Sequence, residues 1–224
     1  MKERGMIFNG EMVRALLDGR KTQTRRIVKG TDSAVKFCKE WNINGEEFFV
    51  VLGEKDHTGM NPVLGAISCP FGAVGNRIWV REAFRVHSRA TDVATLVYKA
   101  SERNSWTEQT HRVPVAVCNK PATPEKWTPS LHMPRWASRI LLEITDVRVE
   151  RLNAISEEDA RAEGIIDGGC LNCGEPEPCG CANPEPDATD AFAYLWQSIY
   201  GQENWNADPW VWVIEFKRVE GGAA

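Results

Sequence analysis

The residues of this chain with the greatest capacity for chemistry lie in one short segment, 19–26, which reads Gly-Arg-Lys-Thr-Gln-Thr-Arg-Arg. The segment combines an amine, two hydroxyls and three guanidinium groups. No acidic residue occurs between positions 19 and 30, so the local field should attract phosphate or carboxylate groups. We therefore predict that the segment forms the floor of a site for an anion or a nucleotide. The ordinary alternative is that its cations cap helix carbonyls and complement the helix dipole.

A short helix is predicted to precede this segment. Asn9 is a suitable N-cap residue, and apolar residues recur at helical spacing from Met12 to Leu17. Gly19 stands where a left-handed residue commonly ends a helix. The sequence therefore predicts a helix that ends just before Lys21, followed by a loop that carries the chemistry-bearing side chains.

Glu163 is a second candidate, because of its position. Ser156 is predicted to open another helix, with Asp159 at the reciprocal capping position. Glu163 comes just before Gly164, at the end of that helix, where the dipole disfavours a carboxylate. A charged group in an unfavourable position favours a functional explanation.

Four cysteines form a candidate metal site. They are Cys170, Cys173, Cys179 and Cys181, and all lie within twelve residues. A C-x-x-C and a C-x-C pair with glycine and proline between them are typical of a tetrahedral structural zinc site. Four protein ligands would leave the metal no open position, so we predict a structural zinc without catalysis. The alternative is a disordered acidic loop with reduced cysteines.

The motif in the first segment resembles that of a known family. Gly19, Lys21, Thr24 and Arg26 reproduce the G-x-K-x-x-T-x-R signature of the ASCH domains, which belong to the PUA-like β-barrel superfamily and are linked to RNA. The chain most resembles the long members carried by phages and prophages. Three further blocks agree with the family, at 75–82, 132–165 and 210–219. The resemblance implies an α+β fold, built as a mixed β-barrel with flanking helices and loop insertions.

The resemblance also implies a reaction. Within the family, the chain is similar to small bacterial amidohydrolases that remove the acetyl group from acetylated cytidine. Their catalytic residues fall on Lys21, Thr24 and Glu163. Thr24 would attack the acetamide carbonyl after losing its proton to Lys21, and Glu163 would protonate the leaving amine. The other candidate contacts to the substrate are Arg20, Thr22, Arg25, Arg26, Arg81, Glu82, Arg135 and Trp136.

Several alternatives stay open at this point. Lys21 and Glu163 could pair as an ion bridge in a binding site without turnover. The chain could be an RNA-binding module, or a ribonuclease that uses the same two residues on a phosphodiester. Arg81 and Glu82 could form an ordinary surface pair, and Trp136 could be a core residue.

Length and composition bound the domain organisation. The chain has 224 residues, of which 42% are hydrophobic, so it can bury a core. We expect one domain over 1–219 with insertions at about 31–74 and 87–133, a zinc loop at 166–189, and a disordered tail at 220–224. The clearest strand patterns lie at 46–52, 77–86, 95–98, 113–117, 140–151 and 210–219, and a helix is predicted at 190–200.

Charge and hydropathy limit the kinds of partner that we expect for this chain. No run of 18 apolar residues occurs and no signal core follows Met1, so we expect a cytoplasmic protein without membrane contact. The family resemblance implies that the cell is a bacterium or a phage-infected host. The net charge of −4 confines any contact with RNA to a local basic patch, such as residues 20–29. The expected partner is RNA or a modified nucleoside, and no organic cofactor is expected.

Overall fold

The computed structural model describes residues 1–31, 33–166 and 188–219. These residues form eleven strands and five α-helices. The strands are β1 Glu3–Ile7, β2 Gln23–Ile27, β3 Lys36–Trp41, β4 Glu47–Leu52, β5 Val63–Ile67, β6 Arg77–Arg81, β7 Phe84–Arg89, β8 Val93–Tyr98, β9 Thr110–Pro114, β10 Leu141–Arg151 and β11 Trp210–Arg218. The helices are α1 Gly10–Leu17, α2 Trp106–Gln109, α3 Glu157–Ala162, α4 Ala188–Tyr200 and α5 Gln202–Asn206.

The described strands form three open sheets. One has the order β1-β6-β10-β11-β2, and the other two are β3-β4-β5 and β7-β8-β9. This arrangement confirms the α+β class. Within the described parts of the chain no sheet closes into a barrel.

The chain divides into two compact units. Unit 1 comprises residues 1–19, 74–144 and the C-terminal residues from 216, and unit 2 comprises residues 20–73 and 145–215. Strands β10 and β11 each contribute residues to both units. None of the helices in the described residues is long and apolar enough to span a bilayer.

Unit 1 is built around the inner face of the β7-β8-β9 sheet. Alternate residues of these strands are buried, among them Phe84, Val86, Leu96 and Tyr98, and Met133 packs with them. In the same unit β1 pairs in parallel with β6, and β6 pairs antiparallel with the first residues of β10. Helix α1 begins as predicted, because the Asn9 side chain accepts a hydrogen bond of 2.8 Å from the Met12 amide. It also ends as predicted, at Gly19 with φ of +76°.

Unit 2 contains α3, α4 and α5, the antiparallel pair of β2 and β11, and the β3-β4-β5 sheet. Its helical core includes Phe192 and Trp196 of α4, which pack with Val211 and Val213 of β11. The helix predicted at 190–200 is confirmed as α4. The N-cap of α3 is also confirmed, since the Ser156 hydroxyl accepts a hydrogen bond of 3.1 Å from the Asp159 amide.

Three local expectations differ from the structure. The predicted loop at 19–26 becomes strand β2 from Gln23 onward, because this polar segment pairs with the apolar strand β11. The predicted strand at 77–86 is two strands, β6 and β7, and the break falls where a carboxylate, Glu82, takes an inward position. In the segments expected as insertions, the strands predicted at 46–52 and 95–98 are confirmed as β4 and β8, and β9 occupies Thr110–Pro114 instead of the predicted 113–117. Strands β3 and β5 were not expected, and both pair with β4.

Candidate functional site

Lys21 and Glu163 meet in unit 2. Lys21 lies just before β2, and Glu163 is the C-cap residue of α3. Their backbones form an isolated antiparallel bridge, and the Thr22 amide donates to the Ala162 carbonyl at 2.8 Å. The Lys21 Nζ atom donates to the Glu163 Oε2 atom at 2.6 Å and to the Glu163 carbonyl oxygen at 2.8 Å. Two residues separated by 142 positions therefore form one hydrogen-bonded pair.

The end of α3 explains how Glu163 is tolerated there. Free carbonyl groups at a helix C-terminus repel a carboxylate and attract cations. Two cations lie at this end, because Lys21 donates to the Glu163 carbonyl and the Arg20 Nη1 atom donates to the Gly164 carbonyl at 2.8 Å. Gly164 has φ of +92°, a left-handed conformation that turns the chain away after the helix. The position that looked unfavourable in the sequence is compensated by these cations.

Burial changes the acid–base character of the lysine. The Lys21 side chain has no exposed surface, and this desolvation lowers the pKa of its amine below the ordinary value. The Glu163 carboxylate acts in the opposite direction, and the charges of Arg26 and Arg25 lower the pKa further. With its pKa lowered, the Lys21 ammonium gives up its proton more readily than that of an exposed lysine.

Arg25 joins the pair to a larger network of charges. Its Nη1 atom lies 3.4 Å from Glu163 Oε1, and its Nη2 atom lies 2.9 Å from Asp159 Oδ2. The guanidinium is fully buried and lies 5.8 Å from the ring centre of Phe192. The charge of Arg25 is therefore matched by carboxylates of unit 2, which favours a role in positioning Glu163 over direct contact with a substrate.

Asp159 anchors the network from α3. It accepts from Arg25 and from Arg148 Nη2, each at 2.9 Å. Burial alone would raise the pKa of the Asp159 carboxyl, but the two guanidinium groups outweigh it and the pKa is lowered. Arg148 also pairs with Glu150 at 2.6 Å and contacts Glu215. Because Asp159 stays ionised, Arg25 keeps its orientation next to Glu163.

Thr24 is not joined to the pair by hydrogen bonds. Successive side chains of a strand point to opposite faces, and both neighbours of Thr24 reach Asp159: Gln23 donates to its carbonyl at 2.8 Å and Arg25 to its carboxylate. Thr24 therefore points to the other face of β2. Its hydroxyl is buried and has no hydrogen-bond partner in the described part of the chain. The structure brings Lys21 and Glu163 together, but it leaves the proposed nucleophile out of hydrogen-bonding contact with them.

The site is closed in this conformation. The exposed fractions of Lys21, Thr24 and Glu163 are 3%, 1% and 4%. Exclusion of water strengthens the ion pair. It also means that a substrate reaches these groups only if neighbouring residues move.

The remaining basic and polar candidates of unit 2 differ in how far they are exposed to solvent. Thr22 is exposed, whereas Arg20 and Arg26 are half-buried. Arg26 donates to the Arg25 carbonyl at 3.4 Å. Lys29 is exposed, so it remains available for a phosphate contact at the surface.

Four of the predicted contact residues lie in unit 1. Glu82 is buried there, and its two carboxylate oxygens accept from Arg139 Nε at 2.9 Å and Nη2 at 3.0 Å. Burial raises the pKa of the Glu82 carboxyl, although Arg139 opposes the shift. Arg81 stacks over Trp79 at 5.4 Å and donates to the Leu131 carbonyl. Glu82 and Arg81 therefore do not form the surface pair that was one alternative.

The other two predicted contacts have local structural roles. Arg135 Nε pairs with Glu3 Oε2 at 2.8 Å. Trp136 packs edge-on against Phe84, with ring centres 6.2 Å apart, and it borders the core cluster of unit 1. This packing agrees with the interpretation of Trp136 as a core residue.

Unit 1 also contains a cavity of about 750 Å³. Phe8 and Asn9 line it at the start of α1, Lys99 and Ser130 line other parts, and Glu82 forms part of its wall. A volume of this size is in the range of small-molecule sites. Glu82 is thus a predicted contact residue of unit 1 that borders this cavity.

Sequence reasoning missed Arg148 and Arg139 and gave Asp159 only a capping role. The alternation of Asp146, Arg148 and Glu150 along β10 was an available signal, since charges at every second position of a strand share one face. Arg139 carried no such signal, because its partner Glu82 lies 57 positions away.

The predicted zinc ligands Cys170, Cys173, Cys179 and Cys181 lie outside the described residues. Within the ranges that are described, no group of three or more potential ligands could hold a metal ion. The structural zinc site therefore stays a prediction from the cysteine spacing.

Comparisons of this chain with family models, with curated proteins and with solved structures found no match.

The cap of α3 gives a first test of how the site is held. Replacing Ser156 with Ala removes the acceptor for the Asp159 amide and is expected to lower the free energy of unfolding by about 1 kcal/mol. Ser156→Asp is the matched control, because aspartate is an equally good N-cap. Urea denaturation of both variants measures the effect, and an equal loss for Ala and Asp would contradict the assigned capping role.

Proposed function

We propose that this chain hydrolyses an acylated nucleoside, in the manner of deacetylation of acetylated cytidine, with Lys21 and Glu163 as its proton-transfer pair. The observation that supports this most is the 2.6 Å contact between a desolvated lysine, whose pKa is lowered, and a carboxylate on a separate element. The G-x-K-x-x-T-x-R motif supplies the substrate class. A relationship to the ASCH family and its PUA-like barrel is part of the same proposal.

Amide hydrolysis needs a nucleophile at the carbonyl carbon and a proton for the leaving amine. A lysine with a lowered pKa is more often neutral and can then accept a proton, and a neighbouring carboxyl group can relay one. In one route Thr24 loses its proton to Lys21 and attacks the acetyl carbonyl. The C–N bond then breaks, and the amine of the nucleoside leaves with a proton from Glu163. Water next hydrolyses the acetyl ester, which releases acetate and restores the hydroxyl.

A second route omits the acyl-enzyme. Glu163 would take a proton from water, the hydroxide would add to the carbonyl carbon, and the proton would pass to the leaving amine. This route does not require Thr24 to contact Lys21. The placement of Thr24 on the face of β2 opposite Gln23 and Arg25 favours this second route, whereas the G-x-K-x-x-T-x-R motif favours the first route.

A second candidate function is binding of RNA or a modified nucleoside without turnover. The specific observation in its favour is that Lys21 and Glu163 are bonded to each other and almost fully buried. Ion-pair networks with a purely structural role also shift pKa values, so this pair can hold a binding site without taking part in turnover.

The experiment incubates the protein with acetylcytidine and separates acetylcytidine from cytidine by chromatography. The acyl-enzyme route predicts that Thr24→Ala lowers kcat by roughly 10²–10⁴-fold, whereas Thr24→Ser retains activity. The water route predicts that both variants keep activity close to that of the wild type. If the wild type binds acetylcytidine but releases no cytidine, the binding function replaces the hydrolytic one.

A further inference from the structure

The β7-β8-β9 sheet of unit 1 has an outer face with an unusual composition. Residues paired across the strands share a face, and the register places Arg85, Val97 and Thr110 in one row and Ser88, Thr95 and Arg112 in the next. The opposite face packs into the core of unit 1. Val97 is fully buried, so the part of this face that is open to solvent is formed by Ser88 and Arg112, with Arg85, Thr95 and Thr110 half-buried.

Charge on this sheet has one sign. Its three strands contain Arg85, Arg89 and Arg112, and they contain no aspartate or glutamate. This is a local basic surface in a chain whose net charge is −4. The acid nearest in sequence to Trp106 on α2, Glu108, is turned back, because its Oε2 atom accepts hydrogen bonds from the Ser105 amide and hydroxyl. Asp92, in the turn between β7 and β8, and Glu108 are exposed carboxylates, so the positive charge is confined to the strands themselves.

Two tryptophans border the face. Trp106 of α2 lies against His87, with ring centres 4.9 Å apart at an interplanar angle of 71°, and it is 53% exposed. Trp127 lies beneath the Arg85 guanidinium, which is 4.5 Å from its ring centre. A bulge between Val86 and Ser88 leaves His87 without a paired residue, which directs this side chain toward Trp106. The aromatic rings are therefore held by contacts with the sheet instead of projecting freely.

We infer that this outer face binds single-stranded nucleic acid, with Trp106 stacking on a base and Arg112 contacting a phosphate. An exposed aromatic ring beside arginines on a sheet can bind an unpaired base and the charged backbone together. Sequence-independent stacking suits this face, because every base presents a ring face to Trp106. The inference goes beyond the proposed hydrolysis and does not require it.

The test measures binding of fluorescein-labelled oligouridylate of about 12 nucleotides by fluorescence anisotropy, at several salt concentrations. Trp106→Ala is expected to weaken binding roughly tenfold, as for the loss of one stacked base. Arg112→Gln is expected to reduce the slope of log Kd against log salt by about one. Trp41→Ala is the matched control, since Trp41 is 59% exposed on the β3-β4-β5 sheet of unit 2.

The outcomes separate this inference from the proposed function. Wild-type protein that releases cytidine from acetylcytidine but does not bind the oligonucleotide overturns the inference alone. Oligonucleotide binding that Trp106→Ala and Trp41→Ala weaken equally also overturns it. Binding that depends on Trp106 and Arg112 supports it, even if acetylcytidine is not hydrolysed. Oligodeoxyuridylate is expected to bind about equally well, since stacking and phosphate contact are common to RNA and DNA.

Discussion

Replacement of Lys21 with Met, or of Glu163 with Leu, is expected to lower the free energy of unfolding by about 3–5 kcal/mol. Each change removes one partner of a buried ion pair and leaves the other desolvated without its closest counter-charge. The loss of unfolding free energy should be smaller for Lys21→Met, because Glu163 keeps a second cation, Arg25, at 3.4 Å. Urea denaturation, followed by tryptophan fluorescence, measures both variants.

The double variant Lys21→Met with Glu163→Leu makes this prediction specific. The double variant leaves no unpaired charge at the pair. Its loss of unfolding free energy should therefore be well below the sum of the losses in the two single variants. The pair Glu157–Arg161 on the same helix is the control, since both side chains are about half exposed. Removing the Glu157–Arg161 pair should lower the free energy of unfolding by less than about 1 kcal/mol. Additive losses for Lys21 and Glu163 would show that the two side chains do not interact in solution.

Replacement of Arg139 with Met is expected to destabilise unit 1 by a similar amount, about 3–5 kcal/mol near neutral pH. The reason is that Glu82, with both oxygens bonded to Arg139, would keep a buried charge without a partner. Adding Glu82→Gln to this variant should recover part of the loss, because a neutral amide costs less to bury than a carboxylate.

The effect of Arg139→Met should depend on pH, with a sign that follows from Glu82. Burial already raises the pKa of this carboxyl above the ordinary 4.5, and loss of the guanidinium would raise it further. A group with a raised folded pKa binds more protons in the folded state, so the variant loses stability as pH rises from about 4.5 through that folded pKa. The deficit relative to the wild type should therefore be small in acid and large at neutral pH. An equal deficit across this range would contradict the assignment.

The parts of the structure that could be predicted from sequence are those fixed by local hydrogen bonds. Asn9 and Ser156 cap their helices as expected, and Gly19 ends α1 with a positive φ. The position of Glu163 was informative for the same reason: a carboxylate at a helix C-terminus needs a cation, and this need can be deduced before the partner is known.

The parts that could not be predicted depend on distant partners. Strand β2 is polar and looks like a loop in the sequence, yet its pairing with Trp212 and Ile214 of β11 makes it a strand. The burial of Arg25 depends on carboxylates more than a hundred positions away. The face to which Thr24 points follows from the strand register, which no local pattern determines.

The most direct test of the account compares the rate of cytidine release from acetylcytidine by wild-type protein, by Glu163→Gln and by Glu158→Gln. Glu158 is an exposed carboxylate on the same helix, so its replacement controls for a general effect of charge loss on α3. We predict turnover by the wild type and by Glu158→Gln, and a loss of roughly 10²–10⁴-fold for Glu163→Gln. Equal rates for all three proteins, or no cytidine from the folded wild type, would contradict the role of the Lys21–Glu163 pair in hydrolysis.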